Sequence, residues 1–277
     1  MATILAVDQI SIRILTMKFA DIQGQRREAQ PGLSGTCPSC GAAVVAKCGD
    51  LRVWHWAHRG IRVCDPWWEP ETEWHRNWKN EFPADWQEVV HFAQSGEKHV
   101  ADVKTQSGMV IEFQHSFLKA EERMARETFY RKMVWVVDGR RRKRDSAQLL
   151  KCIGPCVWGN PPFILHVTNH EECALFRDWN SSSVPVYFDL GVRQEDGAPV
   201  FWRRDPISRN GRVYLTPVSR DSFLKVHREG LDAEKIFSEG VSVIVEKLRR
   251  AAQVPQPFPP TGFLQYRARK RSFRQRL

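Results

Sequence analysis

The sequence predicts an α/β fold: a core in the order helix, three-strand meander, helix, buried strand, preceded by a strand-rich segment with a metal knuckle and followed by an α/β extension. Three observations carry this. Between residues 70 and 137 the hydrophobic spacing switches from helical to alternating, then repeats the change with a second helix and an apolar strand. Upstream, Cys37-x-x-Cys40 precedes His55-x-x-His58 in a turn-rich segment. Beyond Gly139 the alternation weakens to short strand-like runs, and one long amphipathic stretch precedes a proline-rich spacer and a basic end.

Residues 3–20 alternate loosely, with Ile10, Ile12 and Ile14 set against Ser11, Arg13 and Thr16, the pattern of a strand or hairpin. Gly, Pro and Ser then punctuate residues 30–36 and deliver the chain to Cys37. From Pro70 the pattern is helical. Pro70 suits a first turn, Glu71 and Glu73 suit the positive end of the helix dipole, and Pro83 stops the helix. Residues 86–93, 99–104 and 109–114 read as three short strands joined by turns at Ser95-Gly96 and Ser107-Gly108. Residues 119–132 are rich in Glu, Arg, Ala and Met and read as a helix, and the apolar run 133–137 as a buried strand. Strand-like runs follow at 163–167, 184–190 and 212–215. A helix over 232–252 brings Ile236, Gly240, Ile244 and Leu248 to one face. Prolines from Pro255 to Pro260 make a stiff spacer before a basic end. The expected division is residues 1–66 for strands and knuckle, 67–139 for the core, 140–253 for the extension and 254–277 for spacer and tail.

Composition narrows the function classes. At 277 residues and 42% hydrophobic the chain can bury a sizeable core, and 17 glycines with 16 prolines exclude collagen-like and low-complexity classes. Lys and Arg number 42 against 32 Asp and Glu, a net charge of +10 that favours an anionic partner, nucleic acid before membrane surface. No stretch approaches eighteen uncharged apolar residues, and charges at Asp8, Arg13 and Lys18 interrupt the apolar N-terminus, so a cytoplasmic, non-membrane protein is expected. Seven of the eleven tryptophans fall between Trp54 and Trp86, and packing around a small knuckle is the expected use for them.

Seven cysteines in a reducing compartment point to metal rather than disulfides. Cys37, Cys40, His55 and His58 supply four ligands for tetrahedral zinc, a structural site because no open position remains for water. The two-residue gap between the histidines is shorter than usual, and Cys64 stands near enough to replace one. Cys152, Cys156, His166 and His170 form a looser set for which a core role suffices, as it does for Cys48 and Cys173.

Glu71, His75 and Lys79 are spaced by four and climb one helical stripe beside the apolar stripe of Trp74, Trp78 and Phe82. Taken alone this is a salt-bridge ladder. The hairpin that follows changes the reading, because Asp102 and Glu112 are each embedded among apolar strand residues. A buried carboxylate is costly unless it is paired or bound to a cation. Two on adjacent strands favour a divalent ion such as magnesium, which binds beside phosphates. Such a centre activates water and offsets charge on a phosphodiester.

The motifs Cys37-Pro38-x-Cys40, Trp54-His55-Trp56-Ala57-His58, Glu71-Thr72-x-x-His75-x-x-x-Lys79, Ala101-Asp102-Val103, Ile111-Glu112-Phe113-Gln114-x-Ser116 and Arg126-x-x-x-Tyr130 occur in the order seen in the CoiA-like competence protein family. The chain resembles that family over residues 37–138. The resemblance implies a zinc-binding knuckle followed by a PD-(D/E)XK restriction-endonuclease-like core, α-β-β-β-α-β. It also implies Asp102 and Glu112 as ligands of magnesium or manganese, with Glu71 as the helix-borne acid that completes the site. The wider superfamily usually has lysine two residues after the second acid. Gln114 stands there instead and can orient water without supplying charge, so the cationic role falls to Lys79 or His75.

Arg126 and Tyr130, one turn apart, face the same cleft or serve helix packing, and Arg126 is expected to contact nucleic acid. Arg140, Arg141, Arg142, Lys143 and Arg144 form a basic run suited to phosphate contacts, as is the tail from Arg267. The expected protein is a metal-dependent nuclease acting on DNA in uptake, recombination or defence, with a two-fold dimer as the default assembly. A noncatalytic DNA-binding adaptor and an RNA-cleaving defence nuclease are the alternatives.

Overall fold

The computed structural model describes residues 16–60, 64–67, 69–153, 157–158, 165–192, 199–206 and 211–253. The expected strand over 3–15, Trp68, Cys156, the proline spacer and the basic tail lie outside the described residues. The chain is mixed α/β, with two sheets and six helices among those residues.

The first sheet has six strands, β1 (Thr16–Met17), β2 (Phe19–Ile22), β3 (Gln25–Glu28), β4 (Ser34–Thr36), β5 (Ala43–Lys47) and β6 (His55–His58), in the spatial order β1-β6-β5-β4-β2-β3. Every pairing in it is antiparallel. Its small core gathers Met17, Ala20, Ala29, Cys37, Val44 and Trp56.

Then come α1 (Glu73–Asn80), β7 (Gln87–Phe92), β8 (Lys98–Lys104), β9 (Val110–Gln114), α2 (Ala120–Tyr130) and β10 (Met133–Asp138), the element order expected from the spacing. The reasons are local. Thr72 caps α1 by accepting the His75 N–H at 3.2 Å, a cap worth about 1 kcal/mol. β8 alternates strictly between half-buried and buried residues. Gly96 and Gly108, at φ 87° and 77°, make the turns of the meander without steric cost. One expectation changes here: α1 begins after Thr72, so Glu71 precedes the helix instead of riding on it, because the threonine cap stops the helix from extending back to Pro70.

The remaining elements are α3 (Asp145–Ile153), β11 (Val157–Trp158), β12 (Leu165–Asn169), α4 (Ala174–Trp179), β13 (Val186–Val192), β14 (Pro199–Arg204), β15 (Arg212–Pro217), α5 (Arg220–Glu229) and α6 (Ala233–Gln253). Of these, α3, α4, β14 and α5 had no clear periodic signal. On α6 the buried stripe centres on Val241 and Val245, with Ile244 and Leu248 partly buried, a rotation from the expected face towards Tyr214 and Val167.

The second sheet has nine strands in the order β11-β12-β15-β14-β13-β10-β9-β8-β7. β10 lies parallel to both β9 and β13, and the other neighbours are antiparallel. β10 is buried on both faces. Met133, Trp135 and Val137 join the larger core with α3 and α4, while Val134 and Val136 join the core beneath α1 and α5. A continuous apolar run is what a strand with two covered faces requires. No helix among the described residues is long and apolar enough to cross a membrane.

Candidate functional site

Asp102 and Glu112 are the next residues outward from the paired Val103 and Ile111 of β8 and β9. There the backbone ladder gives way to side-chain bonds. The Asp102 N–H donates to Glu112 Oε1 at 3.2 Å, and the Phe113 N–H donates to Asp102 Oδ2 at 3.0 Å. Each carboxylate thereby stays beside the other strand, and both line one cavity of about 70 Å³ together with Glu71, His75 and Lys79.

α1 supplies the positive charge. Lys79 Nζ lies 2.6 Å from Glu71, 2.8 Å from Glu88 and 3.9 Å from Asp102. His75, 3% exposed, lies 3.3 Å from Asp102 through Nε2 and 3.3 Å from Glu69 through Nδ1. From α2, Arg126 reaches Glu112 at 3.1 Å and also donates to the Trp67 carbonyl. Arg126 is thus buried among the acids, where it compensates charge.

The electrostatics follow from that placement. Burial pushes both Asp102 and Glu71 upward. His75 and Lys79 outweigh this at Asp102, Lys79 and Arg76 do so at Glu71, and each carboxyl is held at about 2. Burial also opposes charge on His75 and Lys79, yet their carboxylate neighbours prevail and raise both. Glu112 goes the other way. Burial and repulsion from Asp102 exceed the pull of Arg126 and lift it to about 8.

Sequence reasoning missed Asp65, Glu69 and Glu88, which line the same cavity. Asp65 and Glu69 sit in nonperiodic chain, and Glu88 sits in a strand with no motif to mark it. Asp65 accepts from Val100 N–H at 2.7 Å and lies 2.9 Å from His99. Gln114 does not line the cavity. It donates to Glu69 at 2.6 Å, and Glu69 also accepts from His115 N–H and from Ser116. In total six acidic side chains line the cavity with Lys79, Arg126 and His75, and Arg76 and His99 pair with two of the acids, Glu71 and Asp65. Carboxylate oxygens as donors suit magnesium or manganese better than a softer ion. The acid oxygens do not gather three at a time within 4.8 Å, as the ligands of the knuckle do.

In the knuckle, Cys37, Cys40, His58 and Cys64 bring one ligand atom each within 4.8 Å of one another. Gly41, at φ 70°, closes the turn through its N–H to the Cys37 carbonyl at 2.9 Å. Cys37 and Cys64 are 3.9 Å apart at sulfur, and Cys40 lies 3.3 Å from His58 Nε2. Tetrahedral zinc with sulfur at about 2.3 Å and nitrogen at about 2.0 Å needs edges close to these. The hydrogen bond from Cys64 lowers Cys37 to about 4, and Cys64 is raised in turn.

The expected ligand His55 is not in the set, and Cys64 takes its place. Residues three apart on a strand point to opposite faces, so β6 cannot aim His55 and His58 at one ion. His55 Nδ1 instead lies 2.8 Å from the Val53 carbonyl. Among the described residues, His166 and His170 are bonded to the backbone carbonyls of Ile153 and Gly211, so the looser second set holds no cluster there. Cys173 is core, and Cys48 packs against the small core. Trp56, Trp78 and Trp86 are also buried, the expected packing role, whereas Trp54 is 47% exposed.

The basic run is partly engaged. Arg141 and Arg142 pair with Asp178, Arg142 also with Asp145, and Arg140 lies 3.5 Å from Asp138. Lys143 and Arg144 are exposed.

No curated protein and no solved structure matches the chain. Residues 30–66 match the family model described as Competence protein CoiA, N-terminal domain, and all four knuckle ligands fall inside that segment. The cavity acids from Glu69 onward lie beyond it. Over that ligand-bearing segment the chain is similar to the N-terminal domain of the CoiA competence proteins.

Proposed function

We propose that the chain is a metal-dependent nuclease that hydrolyses phosphodiester bonds of DNA, in a setting of competence or recombination. The observation that carries the reading is the meeting of Asp102, Glu112, Glu71, His75 and Lys79 in one cavity. Asp102 and Glu112 would hold magnesium or manganese, which when bound supplies an activated water and offsets charge on the phosphodiester.

The chain's own residues prepare that site. Lys79 keeps a fixed positive charge among Glu71, Glu88 and Asp102, and it fills the cationic role that Gln114 lacks. His75, between Glu69 and Asp102 and raised by its carboxylate neighbours, orients Asp102. Arg126 offsets the charge on Glu112, and Gln114 braces Glu69 behind His75. The knuckle's role is structural: its sheet closes the cavity through Thr16 and Met17.

The test is incubation of the purified protein with single- and double-stranded DNA and RNA, with magnesium or manganese, beside Asp102→Ala and Glu112→Ala. Cleavage by the wild type that vanishes in both variants is expected. Cleavage persisting in both removes this centre from the chemistry. An inert wild type that still binds DNA makes the chain an adaptor, and cleavage confined to RNA makes it the ribonuclease alternative.

A further inference from the structure

We propose that the cleft on the other side of α1 is a single-strand subsite that stacks one base on Trp74 and holds its phosphate with Arg140. It takes its substrate class from the nuclease reading, but binding tests it independently of cleavage. α1 is a shared wall: His75 and Lys79 line the acid cavity, while Trp74, Asn77 and Trp78 line the cleft. The cleft holds about 400 Å³, within the range of small-ligand sites.

The aromatic wall is held in place. The indole N–H groups of Trp74 and Trp78 both donate to Asp189 Oδ2 at 2.9 Å, and Asp189 Oδ1 accepts the Gly191 N–H at 2.8 Å. Trp78 is buried, with the Arg220 guanidinium 4.2 Å above its ring, so the half-buried Trp74 is the indole left to take a base. Arg140 lies across the turn at Gly191. A Cβ there would stand 3.0 Å from Arg140 Cδ and Nη1, and φ is 80°, so the turn calls for glycine and Arg140 packs close over it. Half of the Arg140 side chain stays exposed at the cleft. A fixed indole flanked by two guanidinium groups is the combination that binds single strands by stacking and charge.

The cleft and the acid cavity both border one further groove. A groove between residues 49–54 and 70–73 shares Glu71 with the acid cavity and Glu73 with the cleft. A strand can therefore pass over the start of α1 from the reacting phosphodiester to Trp74. A duplex offers no free base face to this wall.

The experiment is fluorescence anisotropy with a labelled oligothymidylate of about ten nucleotides and a duplex of the same length, without added magnesium or manganese. Wild type is compared with Trp74→Ala, Trp74→Phe and Arg140→Ala. Trp74→Ala and Arg140→Ala are expected to weaken oligothymidylate binding by roughly tenfold, with Trp74→Phe retaining most of it. Arg140 is exposed, so its variant reports binding even if Trp74→Ala folds poorly. Wild-type affinity in Arg140→Ala, or an equal loss on duplex, overturns the subsite. If that variant binds normally and cleavage is intact, the subsite fails and the nuclease reading stands. If the strand binds through the cleft and nothing is cleaved, the subsite stands and the nuclease reading fails.

Discussion

Lys79 Nζ meets Glu88 Oε1 at 2.8 Å, although Glu88 sits in β7 with the left-handed backbone angle φ 46°. The pairing of β7 with β8 skips it: Gln87 faces Val103 and Val89 faces Ala101. A non-glycine residue held so costs about 1–3 kcal/mol, and the carboxylate offsets this by binding several partners. It accepts the N–H groups of Lys18 and Phe19 as well as Lys79, and so ties the first sheet to the cavity wall.

Glu88→Ala is therefore expected to destabilise the protein by about 2 kcal/mol, with charge-assisted bonds lost and the strain kept. Glu88→Gln should cost less because it retains an acceptor. Urea unfolding midpoints measure both, and a neutral Glu88→Ala would show that these bonds contribute nothing net to stability.

At the knuckle the substitutions Cys64→Ala and His55→Ala separate the two ligand sets. Cys64→Ala is expected to lose zinc and unfold the first sheet at moderate temperature, whereas His55→Ala keeps one zinc per chain. Native mass spectrometry counts the metal directly. The reverse outcome would restore the set read from spacing.

Lys79→Ala and His75→Ala are each expected to lower any cleavage rate, the double variant by at least about a hundredfold. Lys79→Arg, which keeps the charge, should recover part of it. A double variant that cleaves at the wild-type rate removes both residues from the chemistry, whatever its stability.

Stability should depend on pH with two opposite signs. Glu71 and Asp102 are held at about 2, below their ordinary 4.5 and 3.8. Their contribution is complete above those ordinary values and disappears as pH falls towards about 2. Glu112 is raised from 4.5 to about 8, so its contribution is complete below 4.5 and is lost as pH rises through about 8. His75, also raised, acts in the same direction. Without added divalent cation, the urea midpoint should decline from pH 6 to pH 9, and Glu112→Gln should flatten that decline. An unchanged slope in the variant would contradict the assignment.

The sequence by itself determined whatever depends on near neighbours along the chain. Short strand-like runs and turn glycines specify the β7 to β9 meander, with strict alternation in β8, and an unbroken apolar run specifies β10. The tight Cys37-Pro38-x-Cys40-Gly41 turn marks half of the knuckle. Asp102 and Glu112 stand out because a carboxylate among apolar strand residues needs compensation wherever the strand packs.

Only the tertiary structure decided which partners meet. It chose Cys64 over His55, because strand parity turns one histidine away and a distant segment returns a thiol. It brought in Asp65, Glu69 and Glu88, whose side chains gain meaning from what lies across the cavity. It set β13 parallel to β10, a pairing stabilised by contacts far apart in sequence. Local periodicity records which face of an element is apolar. Which elements then cover that face, and which charges that closure buries together, is settled by packing in three dimensions.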